Sequence, residues 1–216
     1  DRLNRGESGE TIARQQSSDS YSAVNGGDLG YFTVFSMVYP FENACYNAEI
    51  GKVVGPVRTQ YGYHLIKVLN KRPARYRMTA AHILLLDTED RPNPEAAKKI
   101  QDLYKSLQAG EDFNALARKH IQDQSSLQRG GQLPAFGLNQ MLPEFEDAAF
   151  GLAADGDFSE PFQTKLGWHI VKRVSREDVP AFERMQGELA GKIRRDERSN
   201  ASMQAFLASL SERYQV

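Results

Sequence analysis

The stretch GGDLGYFTVFSMVYPFENACYNAEIGKVVGPVRTQYGYHLIKV, residues 26–68, decides the fold, because it returns at 130–174 as GGQLPAFGLNQMLPEFEDAAFGLAADGDFSEPFQTKLGWHIVKRV. Laid over each other, Gly26, Gly27, Leu29, Phe32, Met37, Phe41, Glu42 and Ala44 meet Gly130, Gly131, Leu133, Phe136, Met141, Phe145, Glu146 and Ala148. One extra residue in the second copy then shifts the register, and Pro56, Thr59, Gly62, His64 and Lys67 meet Pro161, Thr164, Gly167, His169 and Lys172. A repeat unit this long is a duplicated domain and not a short solenoid repeat. A chain of 216 residues suits one large domain or two small ones, and the repeat decides for two.

Working outward, residues 1–22 correspond to 105–126 without a gap. Gly6-Glu7 meets Gly110-Glu111, Ile12-Ala13-Arg14 meets Leu116-Ala117-Arg118, and Asp19 meets Asp123. The second copy also has a strand and a helix at 79–104, for which the first copy offers no counterpart. Without them the first domain cannot bury its own sheet. The expectation is a piece of a longer chain; the alternative is a strand supplied by another molecule. Gly9 stands where the second copy has Phe113, so an aromatic anchor is also absent.

Residues 29–34 and 62–69 read as strands, and Pro40–Asn47 as a short helix. In the second copy, Ala80–Leu86 is a near-continuous apolar run, the mark of a strand buried on both faces. Asn93 is expected to cap a helix with Pro94 in its first turn and an apolar stripe of Ala96, Ile100, Leu103, Tyr104 and Leu107, ended by Gly110. Asp112 is expected to cap a second helix. A strand near Gly131–Phe136, a helix near Pro143–Phe150 and a last strand at Gly167–Val174 complete a β-α-α-β-α-β order. The predicted class is α+β: two tandem domains, each a four-stranded antiparallel sheet flanked by helices. Their spans are 1–73 and 79–176, joined by a linker at 74–78 and followed by a helical segment at 177–216. The apolar residues of that segment, Phe182, Met185, Leu189, Ile193, Met203, Phe206, Leu207 and Leu210, need a partner. It could be the two domains, further sequence or a client protein.

Composition narrows the function. Lys plus Arg (27) balances Asp plus Glu (28), so no global field steers the chain to nucleic acid or a membrane surface. No apolar run reaches the roughly 18 residues of a membrane span. The first residues, DRLNRGESGE, lack the positive start and apolar core of a signal peptide. A single cysteine, Cys45, excludes an internal disulfide and reads as a small core residue. Scattered histidines and one cysteine give no metal-ligand spacing, and no cofactor is expected.

These residues closely resemble the parvulin family of peptidyl-prolyl cis-trans isomerases, which are FKBP-like in fold. Its opening His-Ile-Leu strand is matched at His82–Leu84, and its Gly-Glu-Asp-Phe turn at Gly110–Phe113. Gly-Gly-Asp-Leu-Gly-aromatic-Phe is matched fully at 26–32 and partly at 130–136. Met-x-x-x-Phe-Glu occurs at Met37–Glu42 and Met141–Glu146, and Thr-x-x-Gly-aromatic-His at Thr59–His64 and Thr164–His169. Any one motif is weak; five in order, three of them repeated in the first copy, are specific. Two such modules with extra helix are similar to the SurA-type or PpiD-type foldases of bacterial envelopes. That likeness implies the periplasm or cell envelope, and proline-containing unfolded or nascent polypeptides as partners. The incomplete first domain and the C-terminal helix are candidate surfaces for self-association.

The resemblance implies a proline slot of Leu133, Met141, Phe145 and Phe136 in the second copy, and of Leu29, Met37, Phe41 and Phe32 in the first. It implies a dual-histidine network of His82 and His169 with Thr164, of which His64 and Thr59 are the first-copy remnant. The histidines would hold one tautomer arrangement and polarise the floor of the site without moving protons. The family's Cys or Asp near the reactive amide is represented by Asp19 and Asp123, or, in strict register from the Gly-Gly pair, by Ser20 and Gln124. Gln132 and Pro134 stand where the motif has Asp and Gly. His120 reads as an outward-facing structural residue. Phosphate-directed members carry basic residues after the first strand; Asp87-Thr88-Glu89-Asp90-Arg91 is mainly acidic, so no phosphopeptide preference is expected. The competing readings are a weakly catalytic or non-catalytic peptide-binding chaperone module, and a structural spacer.

Overall fold

The computed structural model describes residues 2–215. After a 3-10 turn at Leu3–Arg5, the first module runs α1 (Gly9–Gln16), α2 (Ser20–Ala23), α3 (Tyr39–Asn47), β1 (Val53–Thr59) and β2 (Gly62–Lys67). The second runs β3 (Arg77–Leu86), α4 (Ala96–Gln108), α5 (Phe113–His120), α6 (Gln124–Leu127), α7 (Pro143–Gly151), β4 (Phe162–Thr164) and β5 (Gly167–Glu177). Two further helices follow, α8 (Phe182–Arg194) and α9 (Arg198–Tyr214). Each helix of the first module falls where the repeat puts it: α1 on α5, α2 on α6 and α3 on α7.

The second module is built on β5, which pairs antiparallel with β3 on one side and β4 on the other. The apolar run of β3 is buried on both faces. Ala81, Ile83 and Leu85 pack with Ile100, Leu103, Phe113 and Leu116 of α4 and α5. Met78 and Ala80 pack with Phe136, Phe145, Ala149 and Phe150 on the α7 side. Gly110, at φ 95°, closes α4, with its N–H donating to Leu107 O and that of Glu111 to Ser106 O. Asp112 caps α5, accepting from Ala115 N at 2.8 Å.

Three expectations change. Asn93 does not cap α4, which starts at Ala96 after Glu95. Its N–H donates to Asp87 Oδ1 at 2.9 Å and its carbonyl accepts from Ala96 N, so it closes the preceding loop instead. The fourth strand, near 131–136, is reduced to bridges on β3, at Ala81↔Gln132 and Met78↔Phe136. Leu133 N donates to Ala80 O and Phe136 N to Met78 O, so three steps on one side face two on the other. Pro134 lies inside that bulge and has no N–H to give.

The larger change is in the first module. Residues 29–34 form no strand, and the sheet consists of β1 and β2 alone. The equivalent stretch of the second module takes its bonds from β3, and among the described residues before 29 none is in a strand. The outward face of β2 is exposed. Tyr63 and Leu65 are 69% and 63% exposed, whereas their counterpart Ile170 is fully buried in the α4/α5 core and Trp168 packs against it. Cys45, Ala48 and Ile66 form the buried side between α3 and β2.

No described side chain of α8 is buried, and Phe182, Met203, Phe206 and Leu207 are exposed. This segment meets the first module through polar contacts, with Glu197 accepting from Tyr39 N and Arg198 pairing with Glu42. No helix among the described residues is long and apolar enough to cross a membrane.

Candidate functional site

Hydrogen-bonded register brings the two histidines of the second module together. On β3 and β5, His82 lies opposite Val171 and Leu84 opposite His169, so both imidazoles leave the sheet on the α7 side. Their rings stack at 5.9 Å between centroids and 27° between planes. Phe145 of α7 meets both edge-on, at 5.7 Å from His82 and 5.6 Å from His169. Phe162 of β4 stacks on His169 at 5.4 Å, and Phe136 lies 6.0 Å from Phe145. Leu133 and Met141 pack, half-buried, on this cluster. Phe136 and Phe145 are each only 4% exposed. They lie beneath the half-buried Leu133 and Met141, as the deeper part of the expected slot.

Each imidazole is anchored at Nε2. Thr164 Oγ1 lies 2.8 Å from His169 Nε2 and accepts from Leu166 N at 3.1 Å. Asp123 Oδ2 lies 3.1 Å from His82 Nε2, with Ser126 Oγ 3.3 Å from the same nitrogen. Asp123 is fixed in turn by Ser126 Oγ at 2.6 Å and by Ser125, whose N and Oγ reach Oδ1 at 2.9 and 2.7 Å. A carboxylate only accepts, so His82 Nε2 carries the proton and its Nδ1 presents a lone pair. Both Nδ1 atoms, of His82 and of His169, are buried without a hydrogen-bond partner.

The electrostatics follow from burial. Desolvation, and then the neighbouring His82, push His169 down to about 3. Burial also lowers His82, with Asp123 opposing it. Burial raises Asp123, but hydrogen bonds from Ser126, Ser125 and His82 outweigh it and hold the carboxyl well below the usual range. The site at neutral pH is therefore one carboxylate beside two uncharged imidazoles, in a largely apolar pocket. It can hold and polarise a neutral amide; it holds no proton donor poised for transfer. Among the described residues no cluster of three or more His, Cys, Asp or Glu is placed for a metal.

The backbone makes this approach possible at Gly131, where φ is 84° and a Cβ would stand 2.2 Å from His82 O. His82 N donates to Gly131 O at 2.9 Å, fixing the Gly-Gly turn to the histidine strand. Gln124, favoured by strict register, is exposed on the first turn of α6, and Ser20 is exposed on α2. Asp123 reaches His82 because it caps α6 and points back along β3. His120 is half-buried at the end of α5, with burial and Lys99 and Lys119 lowering it.

The first module keeps part of this. Thr59 Oγ1 lies 2.7 Å from His64 Nε2, and Phe41 meets His64 edge-on at 5.3 Å, with Phe32 6.4 Å from Phe41. Asp19 caps α2 and accepts from Ser22 Oγ, which holds it below its usual range. Met37 is half-buried and Leu29 is 38% exposed. Among the described residues one imidazole, His64, stands in this site.

Sequence reading missed three features. Ser22 and Ser126 are buried partners of the aspartates, visible as Asp-x-x-Ser in both copies. Phe162 needed the hairpin geometry. Glu42 and Glu146, each 3% exposed, were aligned but given no role. Glu146 Oε2 accepts from Asn139 N at 2.8 Å, and Glu42 Oε2 from Phe35 N at 2.7 Å. Asn139 (φ 60°) and Phe35 (φ 68°) are equivalent residues in the left-handed region. Each glutamate thus holds the strained loop that leads into Met141 or Met37.

Comparison with known proteins gives the PPIC-type PPIase domain twice, at residues 1–72 and 82–175. A chaperone SurA of Pseudomonas fluorescens is 30% identical, over 90% of this chain and 46% of its own length. That of Idiomarina loihiensis is 35% identical, over 87% of this chain and 44% of its own. The chain therefore spans less than half the length of these relatives. Among solved structures, the parvulin NmPin of Nitrosopumilus maritimus shares 33% identity over 48% of this chain and all of its own, with a TM-score of 0.37. Two PPIC-type domains in tandem, each built around the Thr–His pair and its aromatic floor, make this chain a SurA-like member of the parvulin family of peptidyl-prolyl isomerases.

Proposed function

We propose that the chain is a parvulin-type peptidyl-prolyl isomerase that assists the folding of exported proteins, with the second module as the working site. The observation that carries this is the pair of stacked, uncharged histidines, each tied at Nε2, above the buried Phe145. Rotation about an X-Pro bond breaks no covalent bond but crosses about 18–20 kcal/mol, because the twisted amide loses its resonance. A site that favours the twisted form needs an apolar seat for the proline ring, little water, and fixed dipoles around the amide. Leu133, Met141 and Phe162 supply the seat over Phe145. The buried histidines supply fixed dipoles that need no proton transfer. Asp87, Glu89 and Asp90 border a depression that also includes Thr164 and Lys165, which supports a site with no preference for phosphate before proline. Unfolded, proline-containing polypeptides of the cell envelope are the proposed clients, on the family likeness.

The first module supports a second role. With Thr59 on His64, Phe41 edge-on to that ring and a partly exposed Leu29 and Met37, it offers an apolar seat that binds proline segments.

Isomerisation of a short proline peptide by the full chain tests both readings. Turnover lost in His169→Ala and Met141→Ala but kept in His64→Ala supports the assignment. Turnover that survives His169→Ala, or is lost in His64→Ala alone, overturns it.

A further inference from the structure

Each module has a buried glutamate under its groove loop, and in each case the free side of that carboxylate is met by arginine from outside the module. Glu146 lies one residue from Phe145 and holds the Asn139 amide. Its other oxygen stands 3.7 Å from Arg72, just before the linker, and 3.6 Å from Arg75 within it. The same guanidinium groups bind Asp147 Oδ1 at 2.9 and 2.6 Å. Arg72 also lies over the Tyr31 ring at 3.7 Å, and the Tyr31 carbonyl accepts from Asn139 Nδ2 at 2.7 Å. The loop is therefore held from beneath by Glu146 and from the side by the first module. In the first module the equivalent Glu42 is met by Arg198 of α9, whose guanidinium lies 4.3 Å over the Phe35 ring.

The two arginine sources are not repeats of each other. Arg72 and Arg75 precede β3, whereas Arg198 lies far beyond both modules. The same buried carboxylate is matched twice by unrelated segments. Such a carboxylate needs a cation nearby, since an uncompensated buried charge forces the structure around it to open.

We propose that Arg72 and Arg75 are positioning residues for the proline groove of the second module, acting through Glu146 on the loop that leads to Met141. By the same device Arg198 sets the groove of the first. Its kinetic consequence rests on the isomerase reading above; its structural consequence does not. Fixing a loop that lines the groove acts on binding, so the arginines govern KM and leave kcat to the histidines.

The test uses the full chain. In the Arg72→Met/Arg75→Met variant the Asn139 amide should exchange about tenfold faster, with KM for a proline peptide up about tenfold and kcat within about twofold. Arg72→Lys/Arg75→Lys should recover most of both. Glu146→Gln keeps the oxygen that Asn139 needs and removes the charge, so the methionine pair should speed Asn139 exchange clearly less in that background, the remainder coming from the arginines' contacts with Asp147 and Tyr31. If the methionine pair alone does not fold, this last comparison decides. Unchanged Asn139 exchange in the folded methionine variant overturns the proposal, as does an undiminished effect when the pair is added to Glu146→Gln. Absence of turnover in the unaltered chain would overturn the isomerase reading, with the exchange comparison still deciding this one.

Discussion

The two modules share a local design and differ in what surrounds it. Both place a threonine on a histidine Nε2, at 2.7 Å in the first and 2.8 Å in the second. Both cap a short helix with an aspartate that holds a buried serine. Both lay a phenylalanine edge-on to that histidine. These features arise within one hairpin, one short helix or one adjacent helix, and they form with or without a full sheet. The second histidine, the buried outer face and the bridged edge all depend on one distant strand, β3. Motifs of short range therefore form from local sequence alone, whereas the paired histidines need a long-range strand pairing.

The strongest way to break this comparison is at the aromatic floor. Phe145→Ala removes a 4% exposed ring that touches both histidines, and should cost about 3–5 kcal/mol and abolish turnover. Phe41→Ala, at a half-buried ring, should cost clearly less. Urea unfolding followed at each module measures both; equal losses would mean the first module is as closely packed as the second.

Acid comes next. His169 binds its proton near pH 3 in the fold and near 6.5 when unfolded. Between those values the unfolded chain holds the extra proton, so stability rises with pH across that window and falls as acid is added. The slope from this group is up to about 1.4 kcal/mol per pH unit, and it vanishes above about pH 6.5. His82, also depressed, acts in the same direction. Urea midpoints of the second module from pH 3.5 to 8 should follow this course, and the His169→Asn variant should flatten it. Turnover should be level from about pH 7 to 9; a strong pH dependence there would make a histidine a proton carrier.

A smaller effect separates the aspartates. Asp123→Ala leaves His82 Nε2 and Ser126 Oγ without their acceptor and should cost about 1–3 kcal/mol, with a clear loss of turnover. Asp19→Ala removes the cap of α2 and the acceptor of the Ser22 hydroxyl, but no contact to a histidine, and should leave peptide binding by the first module unchanged. The threonines give the smallest contrast. Thr164→Val and Thr59→Val each remove two hydrogen bonds, one to the histidine and one from a backbone N–H, about 1 kcal/mol apiece, but only the first should lower turnover.

Much of this was legible in the residues, for physical reasons that differ from one to the next. The His-Ile-Leu run around His82 showed its burial by being apolar on both faces. Thr164 and His169 were visible because they lie five residues apart on one hairpin. Asp123 needed the capping geometry of α6, and counting from the Gly-Gly pair pointed one residue too far, to Gln124. The 29–34 stretch reads as a strand, yet the reading describes one segment and a strand needs a second to pair with. Phe136 and Phe145 could be assigned to the groove but not to its floor, since depth depends on what packs behind them. Arg198 and Glu42 are 156 residues apart, and nothing in either neighbourhood announces the other.

That last separation also has a history in time. At about 5–20 residues per second, the ribosome needs roughly 8–30 s to travel the 156 residues from Glu42 to Arg198. Throughout that interval the first module has its hairpin and its Thr59–His64 pair within reach, while its buried glutamate waits for a counter-ion. The second module meets no such delay, because Arg72 and Arg75 emerge before the glutamate they pair with. Vectorial synthesis should thus finish the later module first and close the earlier one last.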